Sequence, residues 1–153
     1  MKTTLLFSFF FALIGLISCS IHKTTTGEVQ HLGGGEKGTV RVQAAGYGVT
    51  KFLALENAEK NAFEALLFRG IPGSVFNKPM INNESETRAL HSDWFRTFFD
   101  ERGYKAYLMS STSRSDFELM KVRQKNLDAT IKINVHALRS AMEQAGVIRK
   151  FGL

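Results

Sequence analysis

Residues 127–135 read Leu-Asp-Ala-Thr-Ile-Lys-Ile-Asn-Val. Apolar and polar side chains alternate along the whole of this stretch, which is typical of a β-strand with one buried and one solvated face. We therefore predict a strand here. Its buried row comprises Leu127, Ala129, Ile131, Ile133 and Val135.

A similar alternation, Gly-Thr-Val-Arg-Val-Gln-Ala-Ala, predicts a strand over residues 38–45. Gly46-Tyr47-Gly48 then interrupts the pattern, and Thr50 is placed to cap a helix that runs to about Arg69. The expected inner side of this helix carries Phe52, Leu55, Ala58, Ala62, Phe63, Leu66 and Leu67, and the outer side Asn57, Lys60, Asn61 and Glu64.

The rest of the chain predicts further short elements. After an irregular stretch to residue 83, a second helix begins between Ser85 and Ser92 and ends at Gly103; Leu90, Trp94 and Phe98 form its stripe, with Phe95 and Phe99 beside it. Residues 104–110 predict a strand, and residues 117–122 a short strand or a turn of helix. Residues 137–145 predict a short helix, and Gly146 stands where a left-handed C-cap belongs.

Strands and helices do not alternate regularly in this order, so we expect an α+β fold rather than a doubly wound parallel sheet. The prediction is a small, mainly antiparallel sheet of three or four strands, with two longer helices and a short C-terminal helix. One domain over residues 39–153 accommodates all of it, since this length suits one ordinary core.

The N-terminus has the three-part layout of a secretory signal. A basic start at Lys2 precedes an apolar run from Leu5 to Ile17, and small residues follow. The sequence Leu-Ile-Ser-Cys at residues 16–19 resembles the lipobox of bacterial lipoproteins. This resemblance implies that residues 1–18 are a signal peptide and that Cys19 becomes the lipid-bearing first residue, the only cofactor-like group expected.

Two alternatives remain open. The run is shorter than the ~20 residues of a spanning helix, which disfavours an uncleaved anchor, and a plain secretory signal would leave a lone Cys in an oxidising space. Ser20, rather than Asp, follows the Cys, and by resemblance to sorted lipoproteins this favours the outer membrane, periplasmic side, over the inner membrane. Residues 19–38, rich in Thr and Gly, predict a flexible tether.

The sequence offers little material for catalysis. Lipid would occupy the sole Cys, and two of the four His residues, His22 and His31, lie in the predicted tether. Contiguous His91-Ser92-Asp93 point in different directions on a helix, which argues against a triad. Gly46-Tyr47-Gly48 is a weak anion-binding pattern and is more simply a tight corner. We expect no enzyme, no metal site and no cofactor beyond the lipid.

The net charge of +6 is spread along the chain. Export disfavours a nucleic-acid partner, and the basic residues are not interleaved with the aromatic residues of a single-strand binder. We interpret them as a solvated surface.

Four parts of the chain occur together in other envelope proteins: the lipobox, Ala-Ala-Gly-Tyr-Gly at residues 44–48, the Ala-rich helix at residues 54–62, and Val-His-Ala-Leu at residues 135–138. In these parts the chain resembles LPP-type lipoproteins and the N-terminal domain of flagellar assembly protein T. The resemblance implies a non-catalytic envelope component.

We therefore expect a protein partner within a trans-envelope complex, such as a type VI secretion system. Core packing is the default interpretation of the aromatic stripe around Trp94. The candidate partner-binding residues, as apolar side chains left outside the core, are Phe68, Phe95, Phe99 and Phe151. The alternative is a peptidoglycan-associated or ligand-binding lipoprotein, with a pocket near residues 46–50 or 82–86. The sequence does not fix the oligomeric state.

Overall fold

A computed structural model describes residues 29–114, 118–119 and 125–150. Within them, five strands form one antiparallel sheet: β1 (Val29–His31), β2 (Thr39–Gly48), β3 (Leu108–Ser113), β4 (Glu118–Leu119) and β5 (Lys125–Asn134). The order is β1-β2-β5-β3, and β4 follows β3 along the same side of β5. With the helices described below, this arrangement confirms the predicted α+β class.

The two long central strands, β2 and β5, share one buried face. Val40 lies opposite Ile133, Val42 opposite Ile131 and Ala44 opposite Ala129, and all of these residues are buried. The predicted inner row of residues 127–135 is therefore confirmed, with Val135 buried as the first residue of a helix. The opposite face is polar and partly exposed, with Arg41, Gln43, Thr130 and Lys132.

The first helix, α1 (Lys51–Glu64), begins where the sequence predicts and continues as a π-helical turn, Ala65–Arg69. Thr50 is its N-cap, because the Thr50 hydroxyl accepts a hydrogen bond from the Leu53 N–H at 3.2 Å. Gly70, with φ of 77°, ends the turn. The predicted inner and outer sides of this helix are wrong at two positions: Phe52, expected on the inner side, is exposed, and Asn61, expected on the outer side, is buried.

Two glycines in β2 allow α1 to lie directly on the sheet. A Cβ at Gly46 would collide with the carbonyl oxygen of Ala54 and come within 2.5 Å of the Ala58 N. A Cβ at Gly48 would come within 2.5 Å of the Ala54 N. Neither glycine has a positive φ. Glycine is therefore required here because it has no side chain, and not because of its backbone freedom.

The second helical region is broken, and the predicted single helix is wrong in this respect. It comprises α2 (Glu84–Leu90), α3 (Ser92–Phe95) and a π-helical turn, Arg96–Asp100, with the break at His91. Leu90, which the sequence placed on the apolar stripe, is exposed.

The strand predicted over residues 104–110 is also partly wrong. Gly103–Tyr107 form a 3-10 helix, and β3 begins only at Leu108. Tyr104 is fully buried in this turn, against the ring of Phe63. Burial of that one ring therefore overrides the extended propensity of the local sequence.

The last helix, α4 (Val135–Gln144), starts two residues earlier than predicted, because the Asn134 side chain accepts a hydrogen bond from the Ala137 N–H at 3.0 Å. The predicted C-cap is confirmed. Gly146 has φ of 72°, and the Val147 N–H donates to the Met142 carbonyl at 2.9 Å.

The predicted tether does not extend to residue 38. Residues 29–31 form β1, which pairs with β2 so that Val29 lies opposite Ala44 and His31 opposite Val42. The segment outside the described fold is therefore shorter than expected. The predictions for the signal peptide at residues 1–18, for Cys19 and for Phe151 lie outside the described residues.

Candidate functional site

The predicted partner-binding aromatics are mostly core residues. The side chains of Phe95 and Phe99 are only 5% and 7% exposed. Phe68 is half-buried, and its ring centroid lies 6.0 Å from that of Phe95. The guanidinium carbon of Arg88 lies 4.5 to 5.4 Å from the centroids of all three rings. Arg88 thus closes this cluster on the solvent side. Phe95 and Phe99 are therefore corrected from partner-binding candidates to core residues.

Two buried carboxylates, which we did not single out in the sequence, lie on α1. Glu59 is 2% exposed; it accepts hydrogen bonds from the Tyr104 hydroxyl at 3.2 Å and from the Lys105 ammonium at 2.6 Å. Glu56 accepts two hydrogen bonds from Arg102, both of 2.9 Å. The only signal in the sequence is two acidic residues three positions apart on a helix rich in alanine.

These contacts shift the titration of the groups involved. The hydrogen bonds from Arg102 hold the pKa of the Glu56 carboxyl below its ordinary value of 4.5. Burial, followed by the nearby negative charge of Glu59, raises the pKa of the Tyr104 hydroxyl. Each carboxylate has a cationic partner from the segment at residues 102–105. The cluster therefore ties α1 to the 3-10 helix.

The two histidines outside the predicted tether, His91 and His136, lie on different elements. His91 lies at the break between α2 and α3, and Asp93 forms an exposed ion pair with Arg96 at 3.0 Å. His136 is exposed at the start of α4, and its backbone N–H donates to the Gly38 carbonyl at 3.0 Å. In the described ranges, no group of three or more His, Cys, Asp or Glu side chains is placed to hold a metal ion.

Side chains accept from two of the backbone donors in and just after the corner at residues 46–50. The Tyr47 N–H donates to the side-chain oxygen of Asn57 at 3.0 Å, and the Leu53 N–H donates to the Thr50 hydroxyl. The Asn61 side chain donates in turn to the Ala45 carbonyl at 2.9 Å. These contacts favour the interpretation of a tight corner over that of an anion site.

An exposed apolar surface begins within this corner, at Val49, and continues into the start of α1. Val49, Phe52 and Leu53 are 65%, 58% and 43% exposed, and we call these three residues the apolar corner. They lie within five positions of one another, at the end of β2 and the start of α1, and the guanidinium carbon of Arg102 lies 5.5 Å from the Phe52 ring centroid. Exposed apolar side chains that occur together mark interaction sites more often than scattered ones do.

A groove lies at the other position that the sequence suggested. Its volume is about 550 Å³, and it is formed between the start of α2 and the end of the described chain. The polar side chains that line it include Asn82, Asn83, Glu86, His91, Arg139 and Arg149.

The outer edge of β3 is a third candidate surface. Within the described part of the chain, β3 is the last strand of the sheet and pairs only with β5. Its sequence, Leu-Met-Ser-Ser-Thr-Ser, has neither a charged residue nor a proline. The register shifts between Leu108 and Ser110, and Met109 is exposed at that point.

No helix in residues 29–114 or 125–150 is long and apolar enough to cross a bilayer. No family model, no curated protein and no solved structure matches the chain.

Proposed function

We propose that the protein is an outer-membrane lipoprotein, anchored by covalent lipid on Cys19 and facing the periplasm. In this proposal it acts without catalysis, as a structural or assembly component of a trans-envelope complex such as a type VI secretion system. The leader of residues 1–18 and the Leu-Ile-Ser-Cys sequence support the anchor, and Ser20 supports the outer membrane. The resemblance to envelope lipoproteins supports the assembly role.

The observation that carries the binding role is the edge of β3. Natural edge strands are kept from pairing by short length, charge, proline or a β-bulge, and at the opposite edge β1 has only three residues. The register shift of β3 is confined to its start, between Leu108 and Ser110. β3 has six residues and no charge. A strand of this kind can accept an extended segment of another protein through backbone hydrogen bonds. The exposed Met109 side chain would then contribute to selectivity.

The lipid increases the efficiency of such binding. A domain held to the membrane by a short link meets other envelope proteins at an effective concentration in the millimolar range. Even weak pairing of a partner's strand with β3 then gives a populated complex, because the anchor already confines the protein to the membrane surface where its partner lies. This explains why a small interface suits a lipid-bound component better than a free one.

A photo-crosslinking amino acid at Met109 of the full chain, expressed in cells, tests the binding role. We expect one discrete adduct whose partner, identified by mass spectrometry, is an envelope protein. The matched control is the same amino acid at Val75, which is 89% exposed in the loop between α1 and α2. A Cys19→Ala change should abolish the adduct. No adduct at Met109, or the same adducts at both positions, would contradict the proposal.

The second candidate function is binding of a peptidoglycan fragment, which the groove near residues 82–86 favours. Such a fragment carries carboxylates and amides, and the groove presents Arg139 and Arg149 together with Asn82 and Asn83. A soluble muropeptide should then raise the melting temperature of the protein, and Arg139→Ala should remove the rise. The absence of any rise would eliminate this candidate.

A further inference from the structure

We propose that the apolar corner, Val49, Phe52 and Leu53, docks the domain onto the lipid surface to which the chain is anchored. The inference rests on the proposed acylation of Cys19. It adds an orientation: the β2–α1 end of the sheet faces the bilayer, and the β3 edge and the groove remain accessible from the periplasm.

The direction of β1 places the anchor on the same side as the apolar corner. β1 runs antiparallel to β2, with Val29 opposite Ala44 and His31 opposite Val42. The N-terminus of β1 is therefore directed toward the end of the sheet at which β2 finishes. Val49 follows β2 directly at that end. The chain thus enters the fold from the side on which the apolar corner is exposed.

The length of the link fits this arrangement. Ten residue steps separate Cys19 from Val29, which allows at most about 35 Å when fully extended. The five residue steps from Ala44 to Val49 cover about 17 Å of strand. The maximum reach of the link exceeds this distance, so the apolar corner can lie at the bilayer surface while Cys19 is anchored in it.

The chemistry of the apolar corner fits a phospholipid surface. Phe52 and Leu53 are an aromatic and an aliphatic side chain able to enter the boundary between headgroups and acyl chains. Lys51 is exposed between Val49 and Phe52, and Arg102 lies beside the Phe52 ring. Lys51 complements lipid phosphates, whereas the charge of Arg102 is already paired with Glu56. The nearby Glu56 is buried and neutralised by Arg102, so it does not repel an anionic surface.

Exposed apolar side chains elsewhere are single residues. Val75, Leu90 and Met109 are each separated from the apolar corner in sequence, and none has a second exposed large apolar neighbour in the described chain. Val75 lies in the loop that faces Gly34 to Thr39, at the start of β2 and so at the opposite end of that strand. Val75 is therefore a matched control that is even more exposed than Phe52.

Tryptophan quenching by lipid tests the docking. The acylated full chain, carrying either Phe52→Trp or Val75→Trp, is reconstituted into vesicles of phosphatidylethanolamine with a minor fraction of phosphatidylglycerol. Half of the preparations contain lipid brominated in the acyl chains. The emission of Trp94, the one native tryptophan, is measured in the parent chain and subtracted. Mass spectrometry verifies acylation of each sample before the measurement.

We expect bromolipid to quench the added Phe52→Trp emission severalfold and to leave the Val75→Trp emission unchanged. An unquenched signal in Phe52→Trp overturns the docking, and it is the result expected if a protein or a second copy covers the apolar corner. Equal quenching at both positions also overturns it, because the domain would then have no orientation. A bare Cys19 thiol overturns the anchor and the docking together, whereas acylation without quenching overturns the docking alone.

Discussion

Glu56 and Arg102 form a bidentate ion pair, with both nitrogen–oxygen distances at 2.9 Å, although they lie 46 positions apart in the chain. Arg102 adopts φ of 63°, the one left-handed conformation of a residue other than glycine in the described ranges. Such a conformation costs free energy and persists only where the surroundings favour it. The ion pair is therefore part of what fixes the turn between the second helical region and the 3-10 helix.

The first prediction concerns Arg102→Ala. It should lower the free energy of unfolding by clearly more than the control below, because Glu56 is buried and loses its bidentate partner, although solvent screens the half-exposed Arg102 side chain. Arg96→Ala is the control, since its ion pair with Asp93 is exposed and should contribute under about 0.5 kcal/mol. Urea unfolding measures both. Equal small effects would show that the Glu56 pair is not structural.

The second prediction is an acid dependence that Glu56 causes. Its pKa in the folded protein lies below the ordinary 4.5, so the carboxylate stabilises the fold above pH 4.5. That stabilisation is lost as the pH falls from 4.5 through the folded pKa. Unfolding free energies measured across this range should decline less steeply for Glu56→Gln than for the parent chain. Parallel declines would contradict the assignment.

The third prediction is an alkaline dependence that Tyr104 causes. Its pKa is raised in the folded protein, so above the ordinary value of 10.0 the hydroxyl ionises more readily in the unfolded chain. Stability should therefore fall as the pH rises past 10.0. In an ultraviolet titration, one of the three tyrosines should ionise only on unfolding. Tyr104→Phe should remove that late step, and if the step persists the buried tyrosine is a different one.

The fourth prediction distinguishes core aromatics from exposed ones. Phe99→Ala should cost about 3 to 5 kcal/mol, because the side chain is buried among other rings. Phe52→Ala should cost under about 1 kcal/mol, because Phe52 is largely exposed. Thermal or urea unfolding of the two variants gives the comparison. If Phe99→Ala left stability unchanged, Phe99 would be available to a partner, as the sequence first suggested.

The fifth prediction concerns Gly46→Ala. The added Cβ would press on the Ala54 carbonyl and the Ala58 N, which forces α1 away from β2, so we expect a loss of about 3 kcal/mol or no folding. Thr130→Ala, on the polar face of β5, is the control and should change stability by under about 1 kcal/mol. Circular dichroism and urea unfolding report both effects. A well-folded, equally stable Gly46→Ala protein would contradict the close approach.

The sequence predicted well those features that depend on periodicity. The row from Leu127 to Ile133 alternates without interruption, and β5 follows it. Thr50 and Gly146 are local signals, and each acts where it was predicted to act, as N-cap and as C-cap. These signals depend only on residues that are close together in the sequence, so they could be predicted without knowledge of the tertiary contacts.

The misassigned features depend on distant contacts. β1 is three residues long and forms because the edge of β2 provides a partner. Tyr104 turns inward because the ring of Phe63 and the carboxylate of Glu59 lie there. Phe52 fits the helical stripe, but α1 first meets β2 where Leu53 and Ala54 lie over Gly48, the last residue of that strand. Phe52 precedes this contact and is exposed. None of these three features can be predicted from residue spacing alone, because each depends on a contact with a distant part of the chain.

Acylation of Cys19 underlies the proposed anchor, and intact mass spectrometry of the protein purified from membranes measures it. We expect a chain that begins at Cys19 and carries covalent acyl groups. A chain that retains residues 1–18, or one that begins at Cys19 with a free thiol and an unmodified amine, would contradict it.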